Sequence, residues 1–186
     1  MNRLSPIRSI YPWLAAGAAS FTVACSPANL PTQPVAINSR YTDEKPALSG
    51  NGRFLAFVSN REGSRNILLY DLQQRQFVNL PYLNRRDAVA DSPSISNTAR
   101  YIVYIASDTG RPEVELYDRI SGQSQILTRG YMGWVRNPSI SPDGRYIAFE
   151  TGRRGQWDIE VIDRGPLIEL DRLDGPPAGS SPAPAP

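Results

Sequence analysis

A 26-residue unit occurs three times in this chain, and that constrains the fold more than any other feature. The copies begin at Pro46, Pro93 and Pro138, spaced by 47 and 45 residues, and align without a gap. Ser49, Ser96 and Ser141 coincide, as do Gly63, Gly110 and Gly155. So do Arg53, Arg100 and Arg145, and Asp71, Asp118 and Asp163. Self-similarity at a period in the mid-forties points to a repeat architecture, whose units bury their faces only against neighbouring units.

Each copy reads as strands. "SPDG" at 141–144 writes a turn: proline presets φ at its second position, and Gly144 accepts the positive φ that follows. Such a type I turn with a left-handed residue is a common hairpin connection. Copy one keeps glycine at the equivalent Gly52, whereas copy two has Ala99. Alanine is strained at positive φ, so the loop at 96–100 is expected to differ from its equivalents.

After the turn come "RFLAFV", "RYIVYI" and "RYIAFE", apolar with little alternation, as expected of strands covered on both faces. A Gly-containing polar loop and a more alternating strand follow: "ILLYD", "VELYD" and "IEVID". The last strands are "QFVNL", "SQILT" and, near the end, "PLIEL" at 166–170. No segment of 40–173 offers a convincing helix. The fold class is therefore all-β: three four-stranded antiparallel sheets, stacked as blades of a partial β-propeller.

"NPSISPDGRYIAFE…G…WDIEVID" resembles the repeat of TolB-type β-propellers, which occurs also in the propellers of prolyl-oligopeptidase-type enzymes. The resemblance covers about 45–170. It implies the propeller fold and, from the Gram-negative family member, work in the periplasm. There a six-bladed propeller behind an extra N-terminal domain acts with a peptidoglycan-associated lipoprotein and inner-membrane Tol proteins. This chain departs in two ways: residues 26–44 are too few for that domain, and there are three repeats. Propellers close with four to eight blades, so three leave two open ends. A homodimer closing a six-bladed ring is favoured; an open stack covered by the terminal segments and a remnant needing another partner are the alternatives. Residues 34–41 can supply a closing strand or cover the first blade.

The domain plan follows. Residues 1–25 read as a signal peptide, with Arg3 and Arg8 ahead of the mostly apolar stretch 10–24. Its "TVAC" resembles a lipobox, which implies lipidation of Cys25 and a membrane-anchored, periplasmic lipoprotein; Thr22 departs from the usual aliphatic residue. Residues 26–44 form a linker, 45–173 the propeller domain, and 174–186 a disordered Pro/Ala-rich tail.

Composition excludes several chemistries. The chain has no histidine, so the usual Ser-His-Asp and Cys-His catalysis and histidine metal sites are absent. With 20 Lys+Arg against 18 Asp+Glu, nothing argues for nucleic acid. The lone carboxylate of "SPDG" is too little for calcium, and no cofactor or catalytic residue is expected.

The candidate partner-binding residues are Tyr131, Met132 and Trp134 in "RGYMGWVR", and Arg153, Arg154 and Trp157 in the next loop. Aromatic, Met and Arg side chains are enriched at interfaces, although packing between blades is the plainer account of the aromatics. Arg85-Arg86 and Arg153-Arg154 are candidates for anionic groups, with solvated loop charges the plainer account. Arg53, Arg100 and Arg145 recur with Asp71, Asp118 and Asp163, which fits blade construction better than a ligand site. The expected function is a non-enzymatic, exported scaffold binding an envelope protein. The alternative is a hydrolase-type propeller related to those of the oligopeptidases, without its own catalytic domain.

Overall fold

The three proline-led copies become three antiparallel sheets. The computed structural model describes residues 37, 39–85 and 89–173. Blade 1 contains β1 (Asp43–Leu48), β2 (Phe54–Ser59), β3 (Asn66–Asp71) and β4 (Gln76–Val78). Blade 2 contains β5 (Ala90–Ile95), β6 (Tyr101–Ala106), β7 (Glu113–Asp118) and β8 (Gln123–Ile126). Blade 3 has β9 (Val135–Ile140), β10 (Tyr146–Thr151) and β11 (Asp158–Asp163). In every sheet the strands pair in chain order, so each blade is a meander.

The proline that opens each copy breaks the ladder of the first strand. Lys45, Ser92 and Asn137, just ahead of the prolines, have φ of +55°, +49° and +49°. The register of β1, β5 and β9 shifts at those points. Proline lacks the N–H that a continuous ladder needs and disfavours right-handed α backbone in the residue before it, so the strand bulges there.

The serine of each copy closes the next turn. The N–H groups of Gly52, Ala99 and Gly144 donate to the carbonyls of Ser49, Ser96 and Ser141 at 2.9, 3.1 and 2.8 Å. The serine hydroxyls accept the N–H of Phe54, Tyr101 and Tyr146 at 2.9, 2.9 and 2.8 Å. Contrary to the sequence expectation, the loop at 96–100 keeps this geometry. Ala99 takes φ +54° and is buried, its methyl packed in the core between blades 1 and 2. Burial of that methyl and the serine bonds hold the strained backbone in place.

Two apolar cores lie between consecutive blades. Each blade has a back face, turned to the next blade, and a front face, turned to the preceding one. Phe54, Ala56, Val58, Ile67 and Leu69 on the back of blade 1 pack with Ile102, Tyr104 and Tyr117 on the front of blade 2. Tyr101, Val103, Ile105, Val114 and Leu116 on the back of blade 2 pack with Ile140, Ile147 and Phe149 of blade 3. β6 is buried along its whole length because both its faces are covered. The turns are stitched together as well: Asn51 N–H donates to Asn97 O at 3.0 Å, and Asn97 N–H to Pro142 O at 2.8 Å.

Residues 166–170, read from sequence as the fourth strand of blade 3, are irregular. The segment instead leaves β11 through Gly165 at φ +87° and crosses back over the turns. Arg100 donates to the Glu169 carboxylate at 2.7 Å, and the Tyr101 hydroxyl to the Glu169 carbonyl at 2.6 Å. The buried Asp171 carboxylate accepts the Ser96 hydroxyl at 2.6 Å and the Thr98 N–H and hydroxyl at 2.7 and 2.5 Å. These charge-assisted bonds outweigh the local alternation that favours a strand. Of residues 34–41, those described (37 and 39–41) form no strand.

Candidate docking surface

Two loops at one end of blade 3 bring the sequence-selected residues together. Residues 129–134 lead into β9, and 152–157 join β10 to β11. Gly152 N–H donates to Trp134 O at 2.9 Å. A Cβ on Gly133 would lie 2.8 Å from the Arg153 Cα, so the loops touch backbone to backbone only because residue 133 is glycine.

Within this corner the six side chains divide. The Tyr131 hydroxyl donates to the Glu160 carboxylate, and its ring meets Phe149 edge-on at 5.8 Å between centroids. The Arg153 guanidinium lies 5.1 Å from the Tyr131 centroid and pairs with Glu160 at 3.2 Å. Burial and the Glu160 bond push the Tyr131 hydroxyl above its ordinary pKa. Tyr131 and Arg153 are therefore largely engaged within the blade. Met132, Trp134 and Arg154 point outward and are exposed. Trp157 is half exposed beneath Arg136, whose guanidinium is 3.7 Å from the ring centroid. Arg136 is in turn fixed by Glu150 at 2.6 Å, with Asn137 donating to the same carboxylate at 3.0 Å.

This corner runs into the back face of blade 3, which no described residue covers. Tyr146 is 43% exposed, Ile159 67% and Val161 61%. The register places Ala148 opposite Val161 and Glu150 opposite Ile159, so these residues share one face. Among the described residues nothing pairs with the outer edge of β11, where blades 1 and 2 add a fourth strand. Exposed Trp, Met and Arg beside an uncovered apolar strand face have the chemistry of a protein-binding surface.

The repeated ion pairs sit at the opposite, turn side of the blades. Arg53 pairs with the buried Asp71 at 2.7 Å, and Arg145 with Asp163 at 2.9 Å. Arg100 reaches Asp118 at 3.6 Å while its other nitrogen goes to Glu169. Burial opposes ionisation of Asp71, but the Arg53 guanidinium and the N–H groups of Gln74 and Gln73 outweigh it and lower its pKa. Each guanidinium also lies about 5 Å from the next aromatic ring, Phe54, Tyr101 or Tyr146. The pairs join β2 to β3, β6 to β7 and β10 to β11.

One cleft, of about 700 Å³, is lined by Arg85, Glu115, Ser124, Arg129 and Arg164 among others. Its buried carboxylate, Glu115, is occupied by Arg85 at 2.8 Å and by the Tyr104 hydroxyl at 2.6 Å. Arg85 pairs with Asp108 too, at 2.8 Å. Among the described residues no group of three or more Cys, Asp or Glu side chains is arranged to hold a metal ion. Cys25, Arg86 and the tail 174–186 lie outside the described residues.

The sequence led to the corner's residues and to two open ends, but did not single out Ile159 and Val161, because they occupy positions where Ile67, Leu69, Val114 and Leu116 are buried. It also missed Glu169 and Asp171. One signal was present: Thr98 stands where the other copies have Asn51 and Asp143, whose carbonyl or carboxylate oxygen closes the turn from within.

Three stacked meanders with their first strands adjacent define a β-propeller module whose two ends are left open by the described residues. No protein-family model matches the chain, and no curated protein matches it. Among solved structures, TolB from Acinetobacter baumannii is similar at a TM-score of 0.59 and 23% identity, covering 77% of this chain and 35% of that one. A structure assigned as TolB from Agrobacterium tumefaciens is similar at 0.55 and 17%, covering 69% and 47%. A puromycin-hydrolyzing peptidase from Mycobacterium tuberculosis reaches 0.51 and 12%, covering 72% and 22%. This chain thus spans about a third to a half of the TolB structures it matches. At these identities the likeness shows the fold, a TolB-like propeller.

Proposed function

We propose that this chain is an exported, non-enzymatic scaffold of the cell envelope that binds another envelope protein through blade 3. In this reading residues 1–25 direct export, and Cys25 carries a lipid that holds the domain at a membrane surface. A role like that of the Tol-Pal system, in envelope integrity or transport, is its specific form. The observation that carries it is the exposed corner of Met132, Trp134, Arg154 and Trp157 on the two loops at one end of blade 3. The lack of an enzymatic role is supported by a chain without histidine and by the tied-up state of Glu115 in the cleft it lines.

The test is photo-crosslinking in intact cells from position 132, followed by identification of the captured protein. A specific envelope protein is expected, captured by the wild type and lost with Trp134→Ala/Trp157→Ala while the far-ultraviolet spectrum is unchanged. Capture of nothing, or of the same proteins by the double variant, overturns it. Radiolabelled palmitate incorporated by the wild type and not by Cys25→Ser is expected for the anchor.

A further inference from the structure

The two open ends of the stack are the two halves of one blade junction. Position by position, the back faces are Phe54, Ala56, Val58, Ile67 and Leu69; Tyr101, Val103, Ile105, Val114 and Leu116; and Tyr146, Ala148, Glu150, Ile159 and Val161. The first two sets are buried by the next blade. The third keeps the apolar character at every position but Glu150, and its Tyr146, Ile159 and Val161 are exposed.

The front faces show the complementary pattern. Leu48, Ile95 and Ile140 are equivalent residues of the first strands. Ile95 and Ile140 are buried under the preceding blade, whereas Leu48 is 62% exposed. Beside it Tyr70 meets Phe77 edge-on at 5.1 Å, and Phe77, 48% exposed, lies on the same face.

The turns supply a key and its socket. The Tyr101 ring of blade 2 covers the turn glycine of blade 3, so closely that a Cβ on Gly144 would be 2.4 Å from the ring. Arg164 lies over the same ring at 4.2 Å, as Arg119 of blade 2 lies over Phe54 at 4.9 Å. Tyr146, the equivalent ring of blade 3, has no turn to cover. Gly52, the equivalent glycine of blade 1, has nothing within 4 Å of its Cβ position.

We infer that the occupant of each open end is the opposite end of a second copy of this chain. The back of blade 3 docks on the front of blade 1 of the partner, with Tyr146 over Gly52. A twofold pair makes this junction twice, leaves no end uncovered, and gives six blades, within the range at which propellers close. The two junctions already inside the chain repeat at this third one, whether or not the scaffold reading holds.

Sedimentation velocity of the full, exported chain tests it, from low to high micromolar concentration. The wild type is expected as a dimer. Leu48→Arg and Val161→Arg change exposed side chains on opposite ends, and each alone is expected to give a monomer with an unchanged strand spectrum. Mixed together, they are expected to form a one-to-one complex, since one chain keeps a sound back face and the other a sound front face. If Val161→Arg loses its spectrum, Ile159→Lys on the same face replaces it. A monomeric wild type, oligomers beyond the dimer, or a dimer dissolved by only one of the two variants overturns the ring. So does failure of the mixture to associate. A wild-type monomer that still captures a different envelope protein overturns the ring and leaves the scaffold proposal standing.

Discussion

Gly52 and Gly144 occupy the same turn position with the same left-handed backbone, at φ +68° and +82°, but differ in their surroundings. That difference separates two costs. In a Leu48→Arg background, where the end faces cannot meet, Gly52→Ala brings only left-handed strain, about 1–2 kcal/mol. Gly144→Ala adds a clash with the trapped Tyr101 ring, and overpacking costs about 1–3 kcal/mol more. Urea melts should place Gly144→Ala clearly below Gly52→Ala; equal losses would mean that the ring moves aside freely. Ala99→Gly poses the reverse case. Relief of about 1–2 kcal/mol of strain is set against a buried methyl of about 0.8 kcal/mol. The greater freedom of glycine in the unfolded chain removes a further 0.4–1 kcal/mol, roughly. The terms nearly cancel, so this substitution should shift stability by less than about 1 kcal/mol.

Among the elements, the turn of blade 2 is the one not built from its own residues. Asn51 and Asp143 accept the serine hydroxyl within their own turns at 2.6 Å, and each also accepts the following arginine N–H. Thr98 carries no carboxylate or amide and instead donates its hydroxyl and N–H to Asp171, which also accepts the Ser96 hydroxyl. Asp171→Ala strands buried donors and should cost about 2–4 kcal/mol, since bonds to charged groups contribute about 1.5–3 kcal/mol each and do not add fully. Thr98→Asp restores a carboxylate within the turn. Alone it sets two carboxylates together and should destabilise; combined with Asp171→Ala it should recover part of the loss. Calorimetry on the four chains of this cycle checks the sign of the coupling, and additivity would refute the substitution of one carboxylate for the other. The same element marks the limit of what the sequence discloses. Strand order and turns were legible because serine, glycine and apolar runs act within a few residues of one another. The path of 166–171 was not, because its partners lie 68–75 residues away. For the site, aromatic and arginine loops could be picked out by composition. Their meeting at one corner could not, because it depends on which loops the sheet brings side by side, whereas an open apolar face on the last blade follows from the count of three repeats.

The whole molecule carries its ionic stabilisation in carboxylates and has no histidine to add a step between pH 5 and 8. The Ser141 hydroxyl and the Arg145 N–H lower the pKa of Asp143, and the Arg145 guanidinium and Gly165 N–H lower that of Asp163. Arg53 and two backbone N–H groups lower that of Asp71 against burial. A depressed folded pKa contributes stability that is fully present above the unfolded value, about 4, and is lost as pH falls through the folded one. Tm should therefore be flat from about pH 8 to 5 and fall below about pH 4; a step near pH 6 would refute this assignment. A ring closed from two chains adds a second dependence at this scale. Each junction exists only in the dimer, so association draws the folding equilibrium by mass action and makes Tm rise with protein concentration. The wild-type Tm should fall on each tenfold dilution across the dissociation range. Leu48→Arg, which keeps all three blades and both internal cores, should melt at one temperature at every concentration. A wild-type Tm indifferent to dilution, in a range where sedimentation shows dissociation, would mean that the end faces meet without stabilising the blades. The junction would then not resemble those between blades 1 and 2 and between blades 2 and 3.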